Sequence, residues 1–222
     1  MTTPTPALQR STGVTRCWWA TSDPLYVAYH DDEWGRPVGD DTRLYEKLVL
    51  EGFQSGLSWL TILRKRENFR RAFHGFAPER VVRFGVRDVR RLLGDAGIVR
   101  HRGKIEAAIQ NAGAVREVQR EFGSLAGYVW RFAPAKGSTP APRGRESIPA
   151  VTEVSVALAR DLRQRGFRFV GPTTVYAFMQ AMGLVNDHLV GCSSRLACDR
   201  ARRSFRVPAV VGRAGAPFHT EG

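Results

Sequence analysis

Apolar positions along the chain recur at helical spacing. Leu44, Leu48 and Val49 share one face of a segment that Asp41 or Thr42 can cap. Trp59, Ile62, Leu63 and Phe69 predict a second helix, and Val86 to Leu93 a short one that stops near Gly94. Ile105, Ala108, Ile109, Ala112 and Val115 keep the same period. Val154, Leu158 and Leu162 carry it to Gly166, and Val175, Phe178, Met179 and Met182 mark a last helix over 174–182. No run alternates with the period of a strand, and no segment repeats another. The pattern predicts an all-α protein.

The gaps in this pattern set the boundaries. Residues 133–150 hold four prolines and read as a loop. Residues 1–15 are polar and rich in Pro and Thr, which predicts a disordered leader. Residues 195–222 carry six arginines and two acidic residues among Gly and Pro, which predicts a flexible basic tail. One helical domain remains, over 16–194.

Charge narrows the partners. The chain has 34 Lys plus Arg against 21 Asp plus Glu, a net charge of +13. Such a field draws polyanions, with nucleic acid the first candidate and an anionic membrane surface the second. No apolar run is long enough to span a membrane, and the N-terminus lacks the apolar core of a secretion signal. Three cysteines, Cys17, Cys192 and Cys198, do not make a disulfide framework and suit a reducing cytoplasm.

Three constellations carry chemistry. Cys17 and His30 near one end, with His188 and Cys192 four apart near the other, supply a Cys2His2 set that can close a tetrahedral zinc shell. If residues 188–192 were helical, those two side chains would share a face. Spacing alone favours the plainer reading, a lone core cysteine and a surface histidine at each end. The stretch 166–174, GFRFVGPTT, joins two helical patterns through Gly171, with Pro172 and Thr173 where a helix starts. A hairpin opening onto a helix N-terminus presents free amides to a phosphate, with Arg165 and Arg168 beside it; an ordinary helix connection has the same composition. Trp18, Trp19, Tyr26, Tyr29, Trp34 and Trp59 are rings for a core or for stacking on an extruded base. Glu51 falls on the apolar face of its helix, where a carboxylate needs a partner. It either reaches solvent at the helix end or waits in a pocket for a cationic ligand.

The segments RCWW, DPLYVAYHDDEWG, LEGFQSGLSW, DAGIVRHRGKI, GFRFVGPTT and FMQAMGLVNDHLVGC, in order from Arg16 to Cys192, closely resemble the 3-methyladenine DNA glycosylase I family. The resemblance implies a helix–hairpin–helix glycosylase fold in which a structural Zn2+ ties the N- and C-terminal regions together. It places the zinc ligands at Cys17, His30, His188 and Cys192. It places the base pocket at Tyr26, Tyr29, Glu51 and Trp59, with Trp19 as a further ring, and gives Glu51 the central role of hydrogen-bonding the methylated adenine. The DNA grip would fall on Arg168, Gly171, Thr173 and Thr174. The implied protein is a monomer that excises 3-methyladenine from alkylated double-stranded DNA by base flipping.

Two positions depart from the family pattern. Phe53 stands where a Gln is expected, which bears on substrate preference, and Pro172 stiffens the hairpin. Aligned on His188, Asn186 occupies the place of the catalytic Asp in other helix–hairpin–helix glycosylases. A base methylated at N3 is already cationic and leaves without that activation. The competing readings are a DNA-binding module that has lost catalysis and a hydrolytic metalloenzyme. Glu51 among its aromatics counts against the first, and a closed four-ligand shell against the second.

Overall fold

The computed structural model describes residues 7–11, 13–20, 23–135 and 137–210. It is mostly helical. Helix α2 (Asp41–Gln54) runs through the middle and packs on α3 (Trp59–Ala72), α6 (Arg102–Phe122), α7 (Leu125–Val129) and α9 (Pro172–Ala181). Around these lie α1 (Pro24–Ala28), α4 (Pro78–Val81), α5 (Val86–Gly94), α8 (Glu153–Gln164) and α10 (Arg195–Ser204). The apolar faces read from the sequence meet in one core: Leu44, Leu48, Ile62, Phe69, Ile105, Val115, Leu158, Leu162, Val175 and Met179 are all buried in it.

Helix starts follow side-chain chemistry. Asp40, one residue before the predicted cap, takes the Arg43 amide of α2 at 2.8 Å. Asp41 is used elsewhere: its carboxylate accepts the Leu125 and Ala126 amides, each at 2.9 Å, and so caps α7. Helix α9 begins at Pro172 rather than Thr174, because a proline at the first helical position gives up only an amide that would lack a partner. Just past its end stands Gly183, whose φ of +75° turns the chain against the Arg36–Pro37 peptide; a Cβ there would lie 2.5 Å from the Arg36 carbonyl carbon.

Both termini differ from expectation. Within the predicted leader, β1 (Leu8–Ser11) pairs antiparallel with β2 (Val14–Cys17), Leu8 opposite Cys17. The segment is short and polar and shows little alternation. It is held instead by packing, since Leu8 lies against the small cluster of Cys17, Leu189 and Cys192. The rest of the leader, 1–6 and 12, lies outside the described residues.

The predicted tail begins as helix α10, which buries Cys198 and sends the Arg202 guanidinium to the Leu184 carbonyl at 2.7 Å. Arg195 also bonds the Asn186 and His188 carbonyls. Residues 211–222 lie outside the described residues. Truncation after Ser194 is therefore expected to lower the melting temperature by several degrees, at about 2–4 °C for each kcal/mol lost. An unchanged melting curve would show α10 to be dispensable.

Candidate functional site

The residues that build the site start from a break in helix geometry. Asp23 caps α1 by accepting the Leu25 and Tyr26 amides at 3.0 and 3.3 Å. The helix then widens into a π-helical turn, Tyr29–Glu33. The turn is pinned to α3 by a two-pronged Arg66–Glu33 pair at 2.6 and 2.8 Å. Consecutive residues consequently serve two sites. Tyr29 lines a cleft, and His30 enters a buried Cys/His cluster.

The cleft encloses about 300 Å³. Trp19, Tyr26, Tyr29, Glu51, Trp59 and Thr173 all border it, so the five residues expected at the base pocket and one of those expected at the DNA grip converge. Thr173, Tyr176 and Gln180 bring α9 to its wall, and Ile148 to Ala150 bring the proline-rich loop. The rings touch one another: Trp19 lies 5.1 Å from Tyr26, and Tyr29 lies 5.4 Å from Trp59, centroid to centroid. Trp59 Nε1 is buried with no hydrogen-bond partner, a donor left over at the cleft wall.

Glu51 is buried, as its place on the apolar face requires, but it is not alone. Lys47, one turn earlier on α2, places Nζ 2.7 Å from Glu51 Oε1, with side-chain exposures of only 6% and 5%. The same ammonium donates to the Tyr29 hydroxyl at 2.8 Å and sits 3.2 Å from the centre of the Trp59 ring. Burial pushes the Lys47 pKa down to about 8, while Glu51 opposes the fall. Burial, reinforced by Glu51, holds the Tyr29 and Tyr26 phenols above their usual range. The sequence reading missed Lys47, as it did Gln54, Tyr176 and Gln180 of the cleft wall; the signal for Lys47 was its four-residue spacing to Glu51 on a face already marked as apolar.

The neighbours of Glu51 point elsewhere. Gly52 lets the hairpin close in, since a Cβ there would meet the Phe169 Cβ at 3.1 Å. Phe53 turns into the core against Phe69, ring centroids 4.7 Å apart, and does not border the cleft, which removes it as a determinant of substrate preference. Gln54 borders it instead.

At the hairpin, Gly166 takes φ +89° to turn out of α8, and Gly171 stands at the N-cap of α9. Asn111 of α6 clamps the loop, its side chain accepting the Arg168 amide at 2.7 Å and donating to the Arg168 carbonyl at 3.1 Å. The Arg168 and Thr173 side chains are exposed, and Thr174 is half-buried in the first turn of α9.

Behind the cleft, Cys17, His30, His188 and Cys192 bring their ligand atoms within 4.8 Å of one another, all four buried. Cys192 Sγ is 3.5 Å from both His30 Nε2 and His188 Nδ1, and Cys17 Sγ is 3.8 Å from His188 Nδ1. Zn–S bonds near 2.3 Å and Zn–N bonds near 2.0–2.1 Å give tetrahedral edges of about 3.5 Å, so the donor set fits a four-coordinate ion.

Outer contacts orient three of the four candidate ligands. His30 Nδ1 lies 2.7 Å from Asp31, which is itself bound by Arg16. His188 Nε2 lies 3.1 Å from the Trp34 carbonyl, and the Leu189 amide donates to Cys17 Sγ. A hydrogen bond between the two cysteines drives the Cys192 thiol down in pKa and the Cys17 thiol up. His188 and Cys192 do not share a helical face. They lie on an irregular loop after Gly183, with Gly191 at φ +90° bending Cys192 back. Cys198 stays outside the cluster.

Asn186 is not a cleft residue. Its side chain holds the ligand loop to α10, donating to Asp199 at 2.7 Å and accepting the His188 amide at 3.3 Å. The adjacent Asp187 accepts the Tyr176 hydroxyl and the Gln180 amide, each at 2.7 Å, and so fixes two side chains of the cleft wall.

A family model described as methyladenine glycosylase matches residues 19–195. The DNA-3-methyladenine glycosylase 1 of Escherichia coli (strain K12) is 50% identical over 177 residues, which is 80% of this chain and 95% of that protein. The DNA-3-methyladenine glycosylase of Haemophilus influenzae is 44% identical over 178 residues, 80% of this chain and 96% of its own length. Among solved structures, 3-methyladenine DNA glycosylase I from Staphylococcus aureus, described as showing how 3-methyladenine is recognised, aligns with a TM-score of 0.76 at 38% identity. That alignment covers 79% of this chain and 93% of the other. Likeness of this extent shows that the chain belongs to the methyladenine glycosylase family.

Proposed function

We infer that this protein is a DNA-3-methyladenine glycosylase that takes an N3-alkylated purine out of double-stranded DNA and hydrolyses its N-glycosyl bond. The observation that carries this reading is the buried Glu51 carboxylate in an aromatic cleft of about 300 Å³, in a chain of this family. The flipped base enters the cleft, stacks on Trp59 and is bordered by Trp19 and Tyr26. Glu51 accepts from the cationic ring, and Tyr29 adds a polar contact.

The base leaves with the electron pair of the bond to C1′, which neutralises its charge. Water then adds to C1′ and loses a proton. Neutral bases lack both the charge and the weakened bond, so the chemistry discriminates along with the shape. The test is release of free 3-methyladenine from methylated duplex by the purified protein. A folded sample that binds DNA and releases no base favours the non-catalytic module.

Two supports surround this chemistry. Helix α8, the 166–171 turn and α9 act as a helix–hairpin–helix grip: first-turn amides of α9 at Thr173 and Thr174, with the exposed Arg168, face the phosphate backbone. The Cys17, His30, His188 and Cys192 set holds one structural Zn2+; its four protein ligands make the ion a staple rather than a reaction centre.

Binding to undamaged duplex should weaken steeply with salt, each phosphate contact adding about −0.9 to the log–log slope. Arg168→Ala should reduce that slope by about one contact. A slope near zero in the full chain contradicts the DNA reading, and an unchanged slope in Arg168→Ala removes the hairpin arginine from the interface.

A further inference from the structure

We propose that Lys47 is a specificity-determining residue of the cleft, holding the place of a cationic base so that only a base bringing its own positive charge can take over its contacts. This rests on the assignment of the cleft to the alkylated base. Of the five side chains assigned to that base, Lys47 already engages three: Glu51 at 2.7 Å, the Tyr29 hydroxyl at 2.8 Å and the Trp59 ring at 3.2 Å. A flat ring stacked on that indole face would lie at about 3.5 Å, the separation of touching carbon atoms. The ammonium and the base therefore compete for the same space as well as for the same carboxylate.

Competition of this kind sorts ligands by charge. A neutral purine entering the cleft separates a buried ion pair and returns no charge to either member. A purine alkylated at N3 pairs with Glu51 itself, so the carboxylate exchanges one cation for another. The penalty falls on the wrong ligand, which is how discrimination is built when two ligands differ little in shape.

The displaced lysine can yield its place cheaply. Its pKa near 8 means that shedding the proton at pH 7 costs about tenfold in affinity. The charges that act on it are Glu51 on its own helix, Glu33 on the turn after α1 and Arg66 on α3. Tyr26, Tyr29 and Tyr176, from α1, the turn and α9, keep their protons, because burial holds their phenols above the usual range.

The experiment compares duplexes carrying one 3-deaza-3-methyladenine, a neutral base of the same outline that resists cleavage, with undamaged duplexes of the same sequence. Wild-type protein is expected to prefer the neutral isostere by no more than about threefold, and Lys47→Met to raise that preference about tenfold or more by removing the buried competing charge. Lys47→Gln, also uncharged, should behave alike, and serves if the Met variant fails to fold. A wild-type protein that binds the isostere tenfold or more over undamaged DNA overturns the proposal without any variant. So does a folded Lys47→Met or Lys47→Gln with the wild-type preference. Release of 3-methyladenine from methylated duplex is measured on the same wild-type preparation. No release there defeats the cleft assignment, whereas release with unaltered variant preference defeats only the role of Lys47.

Discussion

Replacing Cys192 by Ser is expected to empty the proposed zinc site and lower the melting temperature by more than about 10 °C, the consequence of losing several kcal/mol in a chain of this size. Structural zinc sites in small peptides bind with apparent free energies of roughly 10–16 kcal/mol, and that energy is folding energy. The whole stability of an ordinary domain is about 5–15 kcal/mol. Here the ligands come from β2, the π-helical turn and the loop after α9, segments with little regular structure of their own.

The damage should reach the cleft as well. Trp34 meets the edge of His188 at 4.7 Å, and Trp19 meets His30 at 4.9 Å, so two rings of the cleft rest on ligand side chains. Metal analysis beside a melting curve checks this, with about one zinc per wild-type chain and less than half in the variant. A Cys192→Ser protein that lacks metal and melts with the wild type would remove the staple from the account.

Helical periodicity is a local signal, and what it foretold was local. The faces of α2, α3, α6, α8 and α9 lie in the core as their spacing requires. Periodicity could not show that Cys17 meets a loop 171 residues later, because the two are joined only by tertiary packing. The candidate ligand types were visible, and the family resemblance grouped them, but the irregular backbone that carries His188 and Cys192 was not. His188 and Cys192 sit four apart at helical spacing, and the two glycines that break the helix around them act through positive φ rather than through any pattern of polarity.

The β1–β2 hairpin escaped for a related reason. Four-residue strands at least half polar are held by contacts with the Cys192 region rather than by their own alternation. Lys47 was legible and overlooked. Counting that put Glu51 on the apolar face puts Lys47 one turn away, and two opposite charges at that spacing on a buried face are more informative together than either alone.

That pair alters what substitution of Glu51 should do. Glu51→Gln removes the carboxylate proposed to hold the cationic base, and base release should fall roughly 10- to 100-fold, the scale of a charge-assisted hydrogen bond worth about 1.5–3 kcal/mol. From the sequence alone, normal folding would be expected beside this loss. With Lys47 present, the same substitution strands a buried ammonium, and breaking a buried pair costs up to about 3–5 kcal/mol. The cost is softened because the Lys47 pKa, already near 8, can fall further until the amine is neutral. Glu51→Gln is therefore expected to melt earlier as well as to excise slowly, and the single variant cannot separate the two effects. The double variant Lys47→Met with Glu51→Gln removes both charges and leaves neither unpaired, so its melting temperature should recover toward the wild type. Its excision of 3-methyladenine should not recover, because the carboxylate is still missing. Single-turnover base release and a melting curve on the same three preparations decide the matter. If excision returns together with stability in the double variant, Glu51 serves only to neutralise Lys47, and the base must be held by other side chains of the cleft.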